Sequence, residues 1–172
     1  MEGTNVTWKE ASQMEPRFET RGAFTVLGVE EDALKIEEVD PGFQDLWMNR
    51  FMSRHDEVHP YSTDSAYYAV WFGTRGTDIS VGKYLAGMAV GADAKIPESW
   101  VRREVPSAAY AVFETTLRDV GDATDYALRQ WLPNPGWELD AAKPRFDLMP
   151  PDVQGPESPV SVWIPVRRKE AQ

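Results

Sequence analysis

The sequence predicts an α+β domain in which two β-α-β-β units form one antiparallel sheet with helices on one side. Short runs of apolar, β-branched and aromatic residues, bounded by glycine or proline, recur along the chain and read as strands. Two other segments, after Gly42 and after Asp119, switch to the three-to-four spacing of a helix. The resulting order of strand, helix, strand, strand occurs twice, which makes the second half an echo of the first.

Residues 1–15 carry scattered charges with no period and are expected to be a leader anchored at most by Trp8 and Met14. The first strand is expected between Arg17 and Glu30, clearest in Phe24-Thr25-Val26-Leu27-Gly28-Val29, with Gly22 and Gly28 marking a bulge or a close backbone approach. Asp40-Pro41-Gly42 signals a turn and a cap. Phe43, Leu46, Trp47, Arg50 and Phe51 follow at helical spacing, and that helix should end near His55. A loop through Pro60 and Ser62-Thr63-Asp64-Ser65 leads to the strand Tyr67-Tyr68-Ala69-Val70-Trp71-Phe72. Bulky residues on both sides of this strand predict that both its faces are covered. The glycine-containing stretch from Gly73 to Gly82, with Gly73-Thr74-Arg75-Gly76 as a turn, predicts antiparallel pairing with Tyr84–Val90.

A second loop runs over Ala94-Lys95-Ile96-Pro97-Glu98-Ser99. Trp100–Glu104 then begins a strand that Pro106 interrupts before Ala108–Glu114, so an edge or a kink is expected there. Val120, Ala123, Ala127, Leu128 and Trp131 make one stripe of a helix over Asp119–Leu132, stopped by Pro133-Asn134-Pro135-Gly136. A short strand at Phe146–Met149, a proline-rich loop from Pro150 to Pro159, and a final strand at Val160–Val166 complete the pattern. The expected organisation is a leader (1–15), one domain (16–168, halves about 16–92 and 98–168) and a solvated tail (169–172).

Composition narrows the function. With no cysteine, a disulfide framework, a thiolate metal site and a cysteine nucleophile are all excluded. A net charge of −10 argues against direct nucleic-acid binding, which needs clustered lysine and arginine. The absence of a basic-then-apolar leader and of any long apolar window predicts a cytoplasmic chain with no membrane partner. No Gly-x-Ser-x-Gly, Walker or Gly-x-Gly-x-x-Gly pattern occurs, so phosphate cradling and elbow-type serine hydrolysis lack support. His55 and His59 flank Glu57, but Asp56 stands where a zincin needs glutamate and Pro60 ends the helix. No metal, haem or other cofactor is expected.

The ordered set of motifs resembles the GyrI-like small-molecule-binding domain, found also as the effector-binding part of AraC-type and MerR-type multidrug regulators. The resemblance spans about residues 16 to 168. In the first half it is carried by Phe24–Val29, Leu46-Trp47 and Tyr84-Leu85-Ala86-Gly87-Met88-Ala89-Val90. In the second half it is carried by Ile96-Pro97-Glu98-Ser99-Trp100, Val105–Phe113, Trp131-Leu132-Pro133 and Trp163-Ile164-Pro165-Val166. It implies two units related by a pseudo-twofold, with a central ligand cleft lined by aromatic side chains and a carboxylate. Two departures stand out. The family's Phe-Glu-x-Tyr is here Phe146-Asp147-Leu148-Met149, with a shorter acid and no phenol, and Glu114-Thr115-Thr116-Leu117 lacks a glycine common in the family.

The resemblance directs attention to Trp47, Tyr68, Trp71, Tyr110, Phe113, Trp131 and Trp163 as cleft walls, since aromatic faces stack on planar ligands and attract cations. Met149 stands at the family's tyrosine position. Glu30, Glu104, Glu114 and Asp147 are the acidic candidates. Asp147 leads because it stands at the family's acid position, on the strand face opposite Phe146 and Leu148, with Glu104 beside it as a candidate ligand contact. The expected function is a stand-alone binder of a hydrophobic, aromatic, neutral or cationic compound, serving as sensor or sequestering module in a transcriptional or multidrug response. The short leader leaves no room for a helix-turn-helix. Two alternatives follow from the same resemblance. One is a hydrolase of strained electrophilic compounds, with Asp147 as its catalytic carboxylate. The other is an acidic protein-interaction module that engages DNA gyrase or a separate regulator.

Overall fold

The computed structural model describes residues 15–38, 42–74, 78–95 and 97–169. The expectations for Trp8, Met14, Asp40, Pro41, Arg75, Gly76 and Ile96 lie outside them. The elements are β1 (Arg17–Arg21), β2 (Phe24–Asp32), α1 (Ala33–Glu38) and α2, which starts as Gly42–Gln44 and continues in π-helical form over Asp45–Phe51. Two 3-10 turns, Met52–Glu57 and His59–Tyr61, lead to β3 (Ser62–Phe72), β4 (Lys83–Val90), β5 (Val101–Val105) and β6 (Ala108–Thr116). α3 is Val120–Tyr126 with a π-helical continuation, Ala127–Trp131, followed by β7 (Trp137–Leu139), β8 (Arg145–Met149) and β9 (Pro159–Arg168).

The nine strands of the described residues join one antiparallel sheet in the order β1-β6-β9-β8-β3-β4-β2-β5, with β7 paired to β9. The order exposes the internal symmetry. One unit contributes β3-β4-β2 and the other β8-β9-β6, and the two meet at the β3–β8 ladder, where Ala69 faces Asp147. The leading strand of each unit crosses to the other: β1, which precedes β2, pairs with β6, and β5, which precedes β6, pairs with β2. The single strand expected from Arg17 to Glu30 is therefore two strands far apart in the sheet, β1 at one edge and β2 next to the other. The break between them at Gly22-Ala23 is what allows the exchange.

The sheet is strongly curled. Phe24 of β2 lies 5.5 Å from Phe146 of β8, although two strands separate them in the sheet. Gly28 and Gly87 face each other across the β2–β4 ladder, and a Cβ on either would collide with backbone of the other strand. The absence of side chains at both positions lets the two strands approach closely at the bend. Inside the curl lies an aromatic core of Tyr68, Tyr110, Phe146 and Trp163. Arg21 closes it: the guanidinium carbon sits 3.8 Å from the Phe24 ring centre and 5.1 Å from that of Tyr68, and Nη2 donates to the Tyr68 hydroxyl at 2.8 Å. Tyr68 in turn donates to Asp64 at 2.5 Å.

The helices cover the other face. α1, α2 and their turns pack on β2 and β4, with Leu46, Phe51 and Val58 in that core, while α3 packs Ala123, Tyr126 and Ala127 on β6 and β9. No helix among the described residues is long and apolar enough to cross a membrane.

Candidate functional site

Between α2 and α3 the helical face of the sheet is left uncovered over its centre, and a cavity of about 1010 Å³ opens there. The symmetry explains its place, because it lies above the β3–β8 ladder where the two units meet. Tyr67, Ala69 and Trp71 reach it from β3, and Arg145, Asp147 and Met149 from β8. These are alternate residues on two paired strands, hence one face. Tyr84 of β4 and Val160 of β9 extend the floor. The walls are helical: Phe43, Trp47, Met48 and Met52 on one side, Val120 and Leu128 on the other. Both helices turn π-helical where they flank the cavity, a widening often found beside functional sites. The segment Val153-Gln154-Gly155 adds to the rim and is held by the Ser158 hydroxyl, which accepts from the Gln154 amide and donates to its carbonyl at 2.7 Å.

The floor is polar in a specific way. Asp147 lies deep in the molecule, with part of its side chain bordering the open cavity. Burial pushes its carboxyl up to about 7, against the opposing pull of the Arg145 guanidinium. Ala69, directly across the ladder, is small and buried and also lines the cavity. Arg145 shares the face of Asp147 and stacks on Trp71, with its guanidinium carbon 4.6 Å from the ring centre, and burial lowers its pKa from the ordinary arginine value. Two tyrosines complete the polar rim. Tyr84 accepts from Trp47 Nε1 at 2.8 Å, and Tyr67 shares a 3.1 Å hydrogen bond with His55 Nε2. Burial raises the pKa of both phenols. Tyr67 stands opposite Met149 on the ladder, so a phenol lies one rung across from the position where the resemblance leads one to look for it. Glu37, Asp122 and Asp125 line the mouth with Arg129, which pairs with Asp125 at 3.9 Å.

Of the sequence-predicted site residues, the structure brings Trp47, Trp71, Asp147 and Met149 to the cavity. The others lie elsewhere. Tyr68, Tyr110 and Trp163 point to the opposite face and fill the curl of the sheet, where burial pushes the Tyr110 hydroxyl up to about 12. Phe113 is sealed beneath α3, and Trp131 packs on Phe113 and on Phe18 of β1. Glu104 is exposed on the edge strand β5. Glu30 is held by a bidentate Arg103 at 2.8 Å, and Glu114 pairs with Arg17 at the surface. Sequence reasoning missed Arg145, Tyr67 and Tyr84. The alternation of β8 could have flagged Arg145, two residues before Asp147 and therefore on its face.

The sequence matches the GyrI-like small molecule binding domain over residues 14–167. No curated protein matches it by sequence. Among solved structures it is similar to SAV2435 bound to tetraphenylphosphonium, with a TM-score of 0.66 and 15% identity over 90% of this chain and 94% of that one. It is also similar to a putative transcription regulation protein from Staphylococcus aureus MU50 (TM-score 0.61, 14% identity, 90% and 99% covered). A third similar structure is the EcmrR C-terminal domain (TM-score 0.60, 12% identity, 91% and 99% covered). At these identities the likeness is one of fold. With the match spanning nearly the whole sequence, the chain belongs to the family of GyrI-like small-molecule-binding domains.

Proposed function

We propose that the cavity captures a bulky aromatic molecule, a lipophilic cation among them, and that the protein serves as a sensor or sequestering module. The observation that carries this reading is the conjunction of a large open cavity, walls of Trp47, Trp71, Tyr67 and Phe43, and a single buried carboxylate on its floor. Flat rings supply stacking and attract cations at roughly 0.5–2 kcal/mol per contact. Asp147 supplies the charge, and Trp71 and Met149 flank it on the same face. The tetraphenylphosphonium bound to SAV2435 supports the choice of probe.

Calorimetric titration with tetraphenylphosphonium tests the reading. A cation binds the ionised carboxylate. With the Asp147 carboxyl at about 7 in the free protein, the ionised fraction grows about tenfold between pH 6 and 8, and the apparent affinity should rise by about the same factor. Binding at pH 7 should release a proton, and Asp147→Asn should abolish both effects. An affinity that is flat with pH and indifferent to Asp147→Asn would remove Asp147 from the site. No binding by the wild type would sink the reading.

A further inference from the structure

Four buried side-chain polar atoms among the described residues lack a hydrogen-bond partner, and three of them belong to residues that line the cavity: Asp147 Oδ1, Arg145 Nε and Trp71 Nε1. Leaving such groups unpaired is costly, and a folded chain retains few of them without a use. They are chemically complementary, since Asp147 offers an acceptor while Arg145 and Trp71 offer N–H donors. They are also neighbours in the fold. Arg145 and Asp147 share one face of β8, Trp71 is the cross-strand partner of Arg145, and the guanidinium stacks on the indole. The guanidinium attracts the carboxylate electrostatically, yet Arg145 Nε and Asp147 Oδ1 make no hydrogen bond to each other. A bare lipophilic cation would satisfy the carboxylate alone and would meet the positive guanidinium two residues away.

We propose that the ligand of this cavity is an aromatic compound carrying a hydrogen-bond donor next to an acceptor, as in a lactam or carboxamide edge. Its N–H donates to Asp147, and its carbonyl accepts from Arg145, with Trp71 as second donor. This rests on the cavity being the ligand site, as in the function proposed above. It adds the class of ligand and gives Arg145 the role of a specificity-determining contact.

A matched tricyclic series separates the two claims. Phenanthridinone presents N–H and C=O side by side, N-methylphenanthridinone keeps only the acceptor, and N-methylphenanthridinium is a quaternary cation of the same shape. Affinities are measured by calorimetry on the wild type, Arg145→Met and Asp147→Leu at pH 8, with tetraphenylphosphonium as the reference cation. The proposal expects phenanthridinone to bind at least about tenfold more tightly than its N-methyl analogue, the equivalent of one hydrogen bond to a charged group. Asp147→Leu should erase most of that preference, and Arg145→Met, which removes the partner of the carbonyl that both lactams carry, should weaken phenanthridinone itself at least about tenfold. The three ligands compared on the wild type alone already decide the matter if a variant fails to fold. The phenanthridinium binding tightest, or more tightly still in Arg145→Met, would overturn the donor–acceptor edge and leave the cavity as a cation site. No binding by any of the four compounds would overturn both.

Discussion

Replacing Asp147 with asparagine is expected to stabilise the unliganded protein by an amount that grows with pH. The carboxyl is pushed from an ordinary value of 3.8 to about 7 because its charged form is desolvated. The native state therefore holds its proton more tightly than the unfolded chain does. Stability from this group is fully present below about pH 4 and is lost as pH rises toward 7. Asparagine has the shape of the protonated acid and no charge, so the variant keeps what the wild type loses. The attraction of Arg145 lowers the carboxyl pKa and is already contained in the net shift, and no separate allowance is needed for it. About three pKa units at 1.36 kcal/mol each give roughly 4 kcal/mol at pH 8, and the same relation gives about 2 kcal/mol at pH 5. Urea unfolding of both proteins at pH 5, 6, 7 and 8 measures the difference. A gain that widens by about 2–3 kcal/mol across this range is expected. A gain that does not change with pH, or a loss at pH 8, would refute the buried carboxylate.

Other parts of the structure make equally definite claims. Ala69→Leu should crowd the cavity opposite Asp147 and weaken tetraphenylphosphonium at least about tenfold, at a stability cost of about 1–3 kcal/mol because Ala69 is itself buried; calorimetry and urea unfolding read the two effects separately. Gly28→Ala should cost about 3 kcal/mol or more, since the new methyl meets the Ala86 carbonyl and the backbone of Gly87 rather than a side chain that can move, whereas Gly22→Ala, with nothing near its Cβ position, should cost under about 1 kcal/mol in the same urea assay. Arg21→Met should destabilise by about 2 kcal/mol, having lost the stack on Phe24 and the bond to Tyr68; an unchanged unfolding midpoint would mean that β1 does not seal the curl.

Much of the fold is legible in the sequence, because strand runs and turn residues are local signals. The hairpin of β3 and β4, the final strand and the doubled order follow from alternation and from glycine and proline positions. The crossing of β1 and β5 is not legible, since which distant strand an edge pairs with is decided by the curl of the whole sheet. Nor is α1, whose six residues are too few to show a period, or β7, a three-residue strand that exists because β9 runs on beyond β8. The site was half legible for a reason visible in its spacing. Tyr68 and Trp71 are three apart on one strand, as are Tyr110 and Phe113, so strand alternation alone forbids both members of either pair from facing one cleft. Aromatic content marked β3 rightly but left its face undecided, and it also marked β6, which gives the cavity no residue. Asp147 was found because it stands at the family's acid position in an otherwise apolar strand. Arg145 escaped because an arginine at a strand start looks like a solvated end.

The central claim is that the uncovered centre of the helical face, and not the aromatic core inside the curl, receives the ligand. A crystal structure of the protein with tetraphenylphosphonium tests this most directly. The account predicts the phosphonium between α2 and α3, its rings against Trp71 and Tyr67 within about 6 Å, with the Asp147 carboxylate the nearest formal charge. A cation lodged instead among Phe24, Tyr68 and Phe146 in place of the Arg21 side chain, or held only at the outer surface, would contradict it.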